Sequence, residues 1–153
     1  MRLDWAKTSP EALKAMMAVQ GFTDKSSLDH KLIELIKIRA SQINGCAYCL
    51  DMHTKDAIAI GETEQRLHVL AAWREAPFYS EQERAALAWC ESLTEISSKG
   101  APEKQFSDLK KHFSNEQIVE LTLAIVVING WNRLAVGFES EAGHYVSNRK
   151  SGK

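Results

Sequence analysis

Ile43-Asn44-Gly45-Cys46-Ala47-Tyr48-Cys49-Leu50-Asp51-Met52-His53 is the stretch that decides how this chain folds and what chemistry it can carry. Asn44-Gly45 is a helix-breaking pair, and the residues after it repeat at three and four. At about 100° of turn per residue, Cys46, Cys49 and His53 fall within an arc of roughly 60° on one helical face. Cys49 and His53 are i,i+4 neighbours, close enough for side-chain contact. A thiol reacts as its thiolate, and a nearby imidazole can take or share the proton. The spacing therefore reads as dithiol redox chemistry with a proton handler built in. Cys46 is expected in the first turn of the new helix, where free N–H groups and the dipole lower its pKa. Cys49, a turn deeper, has His53 as its advantage. These arguments leave open which sulfur attacks first. Once either is oxidised, the other is within reach to close a disulfide.

Outward from this stretch the chain reads as helices only. Ser9-Pro10 opens a first helix, with Pro at its first position and Gly21 at its end. Ser26 or Ser27 opens a second, through Leu32, Ile33, Leu35, Ile36 and Ile43. The motif helix runs to about Ile60, with Gly61 as its stop. Thr63 to Trp73 reads as a fourth. Ser80-Glu81-Gln82-Glu83 is a capping box for a fifth, through Leu87, Trp89 and Leu93. After the connector Ser98 to Pro102, a sixth runs to His112. Ser114-Asn115-Glu116-Gln117 caps a seventh, which reaches toward Phe138. Its near-continuous apolar run, Leu121 to Ile128, implies burial on most sides by its own domain or by a second subunit. The expectation is one all-α domain over residues 1–153, about seven helices, with the motif core at about 28–60 and a frayed tail at 147–153.

Composition narrows the function. With 153 residues, 44% of them hydrophobic and 25% charged, the chain can bury a core without staples, and its formal charge is −1. No Lys/Arg block suggests nucleic acid or an anionic membrane as partner. The N-terminus, Met1 to Lys7, lacks the apolar core of a secretory signal. Leu121 to Ile128 is too short to span a bilayer. Three cysteines, two of them in a Cys-x-x-Cys, do not frame a secreted scaffold. A cytoplasmic protein is expected.

The same residues admit other readings. Cys-x-x-Cys with His53 could hold zinc, but a structural site needs a fourth ligand. His30, His68, His112, His144 and Cys90 each stand alone. The two cysteines could also pack as small hydrophobes beside a core histidine. Cys90, alone on an amphipathic helix, reads as packing. Asp56, one turn past His53, reads as solvated. No metal and no cofactor are expected.

With the preceding helix the pattern becomes Glu34, eleven residues, Cys46-x-x-Cys49, three residues, His53. This closely resembles the AhpD-like alkylhydroperoxidases of the carboxymuconolactone decarboxylase superfamily. Ser41 through Cys49 is similar to that family's core, and Phe113-Ser114 through Leu134 resembles the closing helix of its peroxidase-related branch. The resemblance implies an all-helical fold assembling as homotrimers or hexamers. It implies that Cys49 is oxidised by peroxide to a sulfenic acid, that Cys46 resolves it as a disulfide, and that His53 and Glu34 relay protons for Cys49. It also implies a dithiol reductant, a lipoyl-bearing carrier or a thioredoxin-like protein. Only the resemblance picks out Glu34. By its residues alone it projects with Lys37 and Ser41 away from the apolar stripe, as a solvated glutamate paired with Lys37. One departure stands out: family peroxidases carry a second histidine where this chain has Tyr48. A phenol with a pKa of about 10 does not act as a base at neutral pH, though it donates a hydrogen bond.

The resulting expectation is a thiol peroxidase for hydrogen peroxide or organic hydroperoxides. The alternatives are a dithiol redox-responsive binding protein or disulfide reductase, and a superfamily lyase.

Overall fold

The computed structural model describes residues 1–149. Among them are nine α-helices, one 3₁₀ turn and no strand. The helices are α1 (Trp5–Thr8), α2 (Pro10–Thr23), α3 (His30–Asn44), α4 (Ala47–Ala59), α5 (Glu64–His68), α6 (Glu81–Thr94), α7 (Ile96–Lys99), α8 (Glu103–Leu109) and α9 (Asn115–Gly137). The all-α expectation holds, with more helices than the seven read from the sequence.

α3 is the centre of the packing. It lies against α4, α6 and α9 and buries Leu35, Ile36 and Ile38. Leu87 of α6 and Leu121, Ile125 and Ile128 of α9 are also fully buried. Each such side chain contributes roughly 1.5–3 kcal/mol by leaving water. α9 is, at 23 residues, long and apolar enough to cross a bilayer, which the eight-residue run inside it is not. In this fold much of that apolar surface is buried in the core, together with Glu120, Asn129 and Asn132.

The capping boxes at Ser80–Glu83 and Ser114–Gln117 form in full. Elsewhere the boundaries differ for physical reasons. Asp29, not Ser26 or Ser27, caps α3, accepting from Lys31 N at 2.8 Å. Ser27 instead donates through its N–H and hydroxyl to Glu120 of α9. Thr63 to Trp73 is not one helix but α5 followed by a 3₁₀ turn at Leu70–Ala72. Leu67, Leu70 and Trp73 are all buried, and a three-residue repeat aligns on one face of a 3₁₀ helix rather than an α-helix. α2 runs through Gly21 to Thr23, and Ser9 precedes it without a side-chain cap bond. α1 is one turn, capped by Asp4, too short to show periodicity. The connector at 98–102 is in part the single turn α7.

The tail expected to fray does not do so over its described part. Ser147 Oγ donates to Asp56 Oδ1 at 2.6 Å, and Arg149 stands beside Asp24, Glu34 and Asp56. Residues 150–153 of that expectation lie outside the described residues.

Candidate active site

The break between α3 and α4 builds the site. Gly45 adopts φ 64°, ψ 33°, the left-handed conformation glycine enters at least cost. That turn places Cys46 at the N-cap of α4, one position before the first turn in which it was expected. Its sulfur accepts the Cys49 N–H at 3.4 Å, standing where a serine or aspartate oxygen usually caps a helix. The Cys49 thiol also donates to the Cys46 sulfur. That bond, backed by the Cys49 and Tyr48 N–H groups and the Asn132 amide, outweighs burial and holds Cys46 down at about 6. The same thiol bond, burial and the Cys46 charge push Cys49 well above the ordinary thiol range. The resting negative charge therefore belongs to Cys46, as the helix-terminus argument implies.

Glu34 corrects the solvated reading of its residues. It is buried at 1% exposure, with Oε1 3.1 Å from Lys37 Nζ and Oε2 2.8 Å from His53 Nδ1. Burial pushes its carboxyl up, but the hydrogen bond and charge of His53 and the ammonium of Lys37 hold it down at about 2. The His53 ring is thus fixed by Glu34, and among the described residues no hydrogen bond joins it to Cys49. With Nδ1 turned to a carboxylate, a neutral ring presents its lone pair at Nε2. Asp56 corrects a second expectation. It is buried, not solvated, accepting from Tyr145 Oη at 2.8 Å and from Ser147 Oγ.

A pocket of about 800 Å³ opens onto this group. Cys49, His53, Lys37 and Tyr48 line it, and Cys46 is not among its lining residues. Glu34, His53 and Asp56 bring three donor atoms within 4.8 Å of one another, a set that could hold a cation and that contains neither sulfur. Lys37 and Arg149 already stand against its two carboxylates, which opposes a further positive charge. Cys90 is fully buried on α6, 3.5 Å from the Ile36 carbonyl, and burial pushes its thiol up to about 12.

Lys37, Asn132, Tyr145 and Arg149 belong to this neighbourhood and were not picked out as site residues from the sequence. Asn132 Nδ2 donates to Ser41 Oγ at 3.0 Å, and Asn44 Nδ2 donates to Asn132 Oδ1 at 2.9 Å. The available signal was a pair of amides, Asn129 and Asn132, interrupting a buried apolar helix, since buried polar groups need partners.

Residues 10–92 match the model of the carboxymuconolactone decarboxylase family, more than half of the chain. The chain belongs to that family. The uncharacterized YdfG of Bacillus subtilis is 45% identical over 141 residues, 92% of this chain and 96% of YdfG. A crystal structure from Agrobacterium tumefaciens, of a protein of unknown function named as a candidate antioxidant defence protein AhpD, superposes with TM-score 0.91. It is 50% identical over 94% of this chain and 99% of its own. The chain thus has the AhpD-like fold. The debrominase Bmp8 (TM-score 0.77, 21% identity, 90% of this chain and 74% of its own) shares that fold.

Proposed function

We propose that this protein is a thiol-dependent peroxidase acting through Cys49 and Cys46. The observation that carries the reading is a pocket-lining Cys49 whose N–H is capped by the Cys46 sulfur, one helical turn from a His53 held by Glu34. In the first step the Cys49 sulfur attacks the O–O bond of a hydroperoxide, giving Cys49 sulfenic acid and an alcohol, or water from hydrogen peroxide. His53, oriented by Glu34, is the pocket's proton acceptor, taking the thiol proton at Nε2 and passing it to the departing oxygen. Cys46 then displaces water from the sulfenic acid to form the disulfide. A dithiol donor, a lipoyl-bearing carrier or a thioredoxin-like protein, restores both thiols by exchange. The sulfurs carry the electrons throughout. The setting proposed is the cytoplasm, and the working form a homotrimer or hexamer.

The test is peroxide consumption with dihydrolipoamide or thioredoxin as donor, run beside Cys46→Ser and Cys49→Ser. The expected result is turnover in the wild type, loss in both variants, and a trappable sulfenic acid only in Cys46→Ser. Consumption that survives Cys49→Ser would overturn the assignment. The alternative is a dithiol reductase or redox-responsive binding protein, favoured by the resting charge lying on the sulfur outside the pocket lining. Disulfide exchange without peroxide turnover would select it.

A further inference from the structure

The floor of the pocket and its cover come from different parts of the chain. Lys37, Tyr48, Cys49, Met52 and His53 lie within residues 10–92, the span matched to the family. The cover is built by the two ends of the chain: Met1, Asp4 and Trp5 on one side, Glu141, Tyr145 and Arg149 among those on the other. The ends clasp each other. The Arg2 N–H donates to the Phe138 carbonyl at 2.9 Å, Arg2 pairs with Glu139 at 2.8 Å, and the terminal ammonium lies 3.5 Å from Glu141. Trp5 lies 6.0 Å from Trp131 and stacks on Phe138 at 6.4 Å, ring centroid to ring centroid. The C-terminal segment is tied to α4, the helix of Cys49 and His53. Gly143 N donates to Asp51 at 3.1 Å, Lys55 Nζ to the Tyr145 carbonyl at 3.0 Å, and Tyr145 to Asp56.

The walls say what kind of molecule this clasp encloses. Trp5, Leu13, Met17, Met52, Trp131 and Leu134 give it an apolar, partly aromatic surface. The cations on the lining each stand beside a carboxylate, Met1 with Glu141 and Lys37 with Glu34, while Asp4 pairs with Lys7, and Asp24 and Asp56 share the one Arg149. Among the described lining residues no Lys or Arg is left without a carboxylate to recognise an anion, and the carboxylate in excess is engaged by hydrogen bonds, Asp24 accepting from Gln20 and Asp56 from Tyr145 and Ser147. The volume of about 800 Å³ is in the range of sites for drug-sized ligands. Hydrogen peroxide, about twice the roughly 30 Å³ share of one water, would meet few of these walls.

We propose that the clasped chain ends form a specificity element selecting a bulky, neutral, aromatic or branched apolar hydroperoxide, with Trp5 and Met17 holding the hydrocarbon body and the O–O group at Cys49. The identity of the reacting group rests on the peroxidase reading; the binding of the body does not. The balance is that of a two-electron reduction: the hydroperoxide leaves as its alcohol while Cys49 becomes the sulfenic acid.

The test uses cumyl alcohol, the product from cumene hydroperoxide, and tert-butanol as the small comparator. Affinity is read by tryptophan fluorescence and by protection of Cys49 from alkylation, followed by peptide mass spectrometry. Cumyl alcohol should bind at least tenfold more tightly than tert-butanol and slow Cys49 alkylation. Trp5→Ala should weaken it by roughly tenfold and Met17→Ala by roughly threefold, from lost apolar contact. In turnover, kcat/KM for cumene hydroperoxide should exceed that for hydrogen peroxide and should fall in both variants by a larger factor than the hydrogen peroxide value does. Equal binding of the two alcohols, or no effect of either variant on binding, overturns the proposal. Binding as described with no turnover of any hydroperoxide upholds the apolar clasp and overturns the peroxide assignment instead.

Discussion

Cys46 and Cys49 have the same side chain and are pushed in opposite directions because the Cys46 sulfur gathers hydrogen-bond donors, the Cys49 thiol first, and Cys49 keeps its proton. The Cys46 sulfur collects donors, Cys49 S–H first among them, and keeps its charge to about pH 6, while Cys49 is left neutral in front of the pocket. Ultraviolet absorbance should therefore show one thiolate titrating near pH 6, and Cys49→Ala should move that midpoint up by about one unit or more through loss of the donor. An unmoved midpoint would mean that the helix terminus alone holds the charge. Because the folded Cys46 value lies below its ordinary value, its stabilisation is complete above the ordinary thiol pKa and is lost as pH falls through about 6. Glu34 follows the same sign at lower pH. Its contribution is full above its ordinary value of 4.5 and disappears as pH falls toward about 2. Urea unfolding should show Glu34→Gln losing less stability over that window than the wild type does. At pH 7 the variant should be less stable by roughly 3–5 kcal/mol, since Lys37 is left buried without its counter-charge. The sulfurs and His53 were legible because they share one local helix and spacing alone aligns them. Glu34 was not, because its burial depends on α4 and on the C-terminal segment, which no local pattern on α3 records.

At the scale of elements, the site depends on one left-handed residue and one strap. Gly45 at φ 64° lets α3 stop and α4 start with Cys46 at the cap. A side chain there is strained whatever space surrounds it. Gly45→Ala should cost about 1–2 kcal/mol and raise the Cys46 pKa as the cap geometry loosens, which thermal melts and thiolate titration would both register. The strap, residues 138–149, has no helix of its own and is fastened through Asp51, Lys55 and Asp56 of α4. Asp56→Ala removes two of these bonds and leaves Arg149 with less counter-charge. Limited proteolysis and amide exchange should then open at 140–149 first, at a cost of about 1–3 kcal/mol overall. Protection unchanged across the strap would show that Asp51 and Lys55 hold it alone. Helix starts with a full capping box were read correctly because the signal lies within four residues. The end of the strap, from Ser147, was read as frayed because its anchors are on α4, and sequence periodicity carries no trace of such contacts. The 3₁₀ turn was half visible: Leu67, Leu70 and Trp73 repeat at three, which the α-helical reading absorbed.

For the whole molecule, the question is what covers α2. Its sequence is largely apolar, yet within one chain it buries only Thr23, leaving Val19 and Phe22 at 38% and 54% exposure. On α9, Val119 and Val126 are exposed at 63% and 57%, although the opposite side of that helix is core. Soluble monomers rarely leave extended apolar surface in water, because each exposed branched side chain forgoes roughly 1.5–3 kcal/mol of burial. The helix read as buried on most sides is so within one chain between Ile118 and Asn132, except at Val119 and Val126, and we propose a second subunit as the cover for that stripe and for α2. Sedimentation equilibrium at micromolar concentration should give three or six times the chain mass, with thermal stability rising with protein concentration. Phe22→Glu and Val126→Glu should dissociate the assembly while circular dichroism retains its helix content. A wild-type chain that sediments as a monomer, with a melting point independent of concentration, would remove the oligomer and require these side chains to be stable in water as they stand.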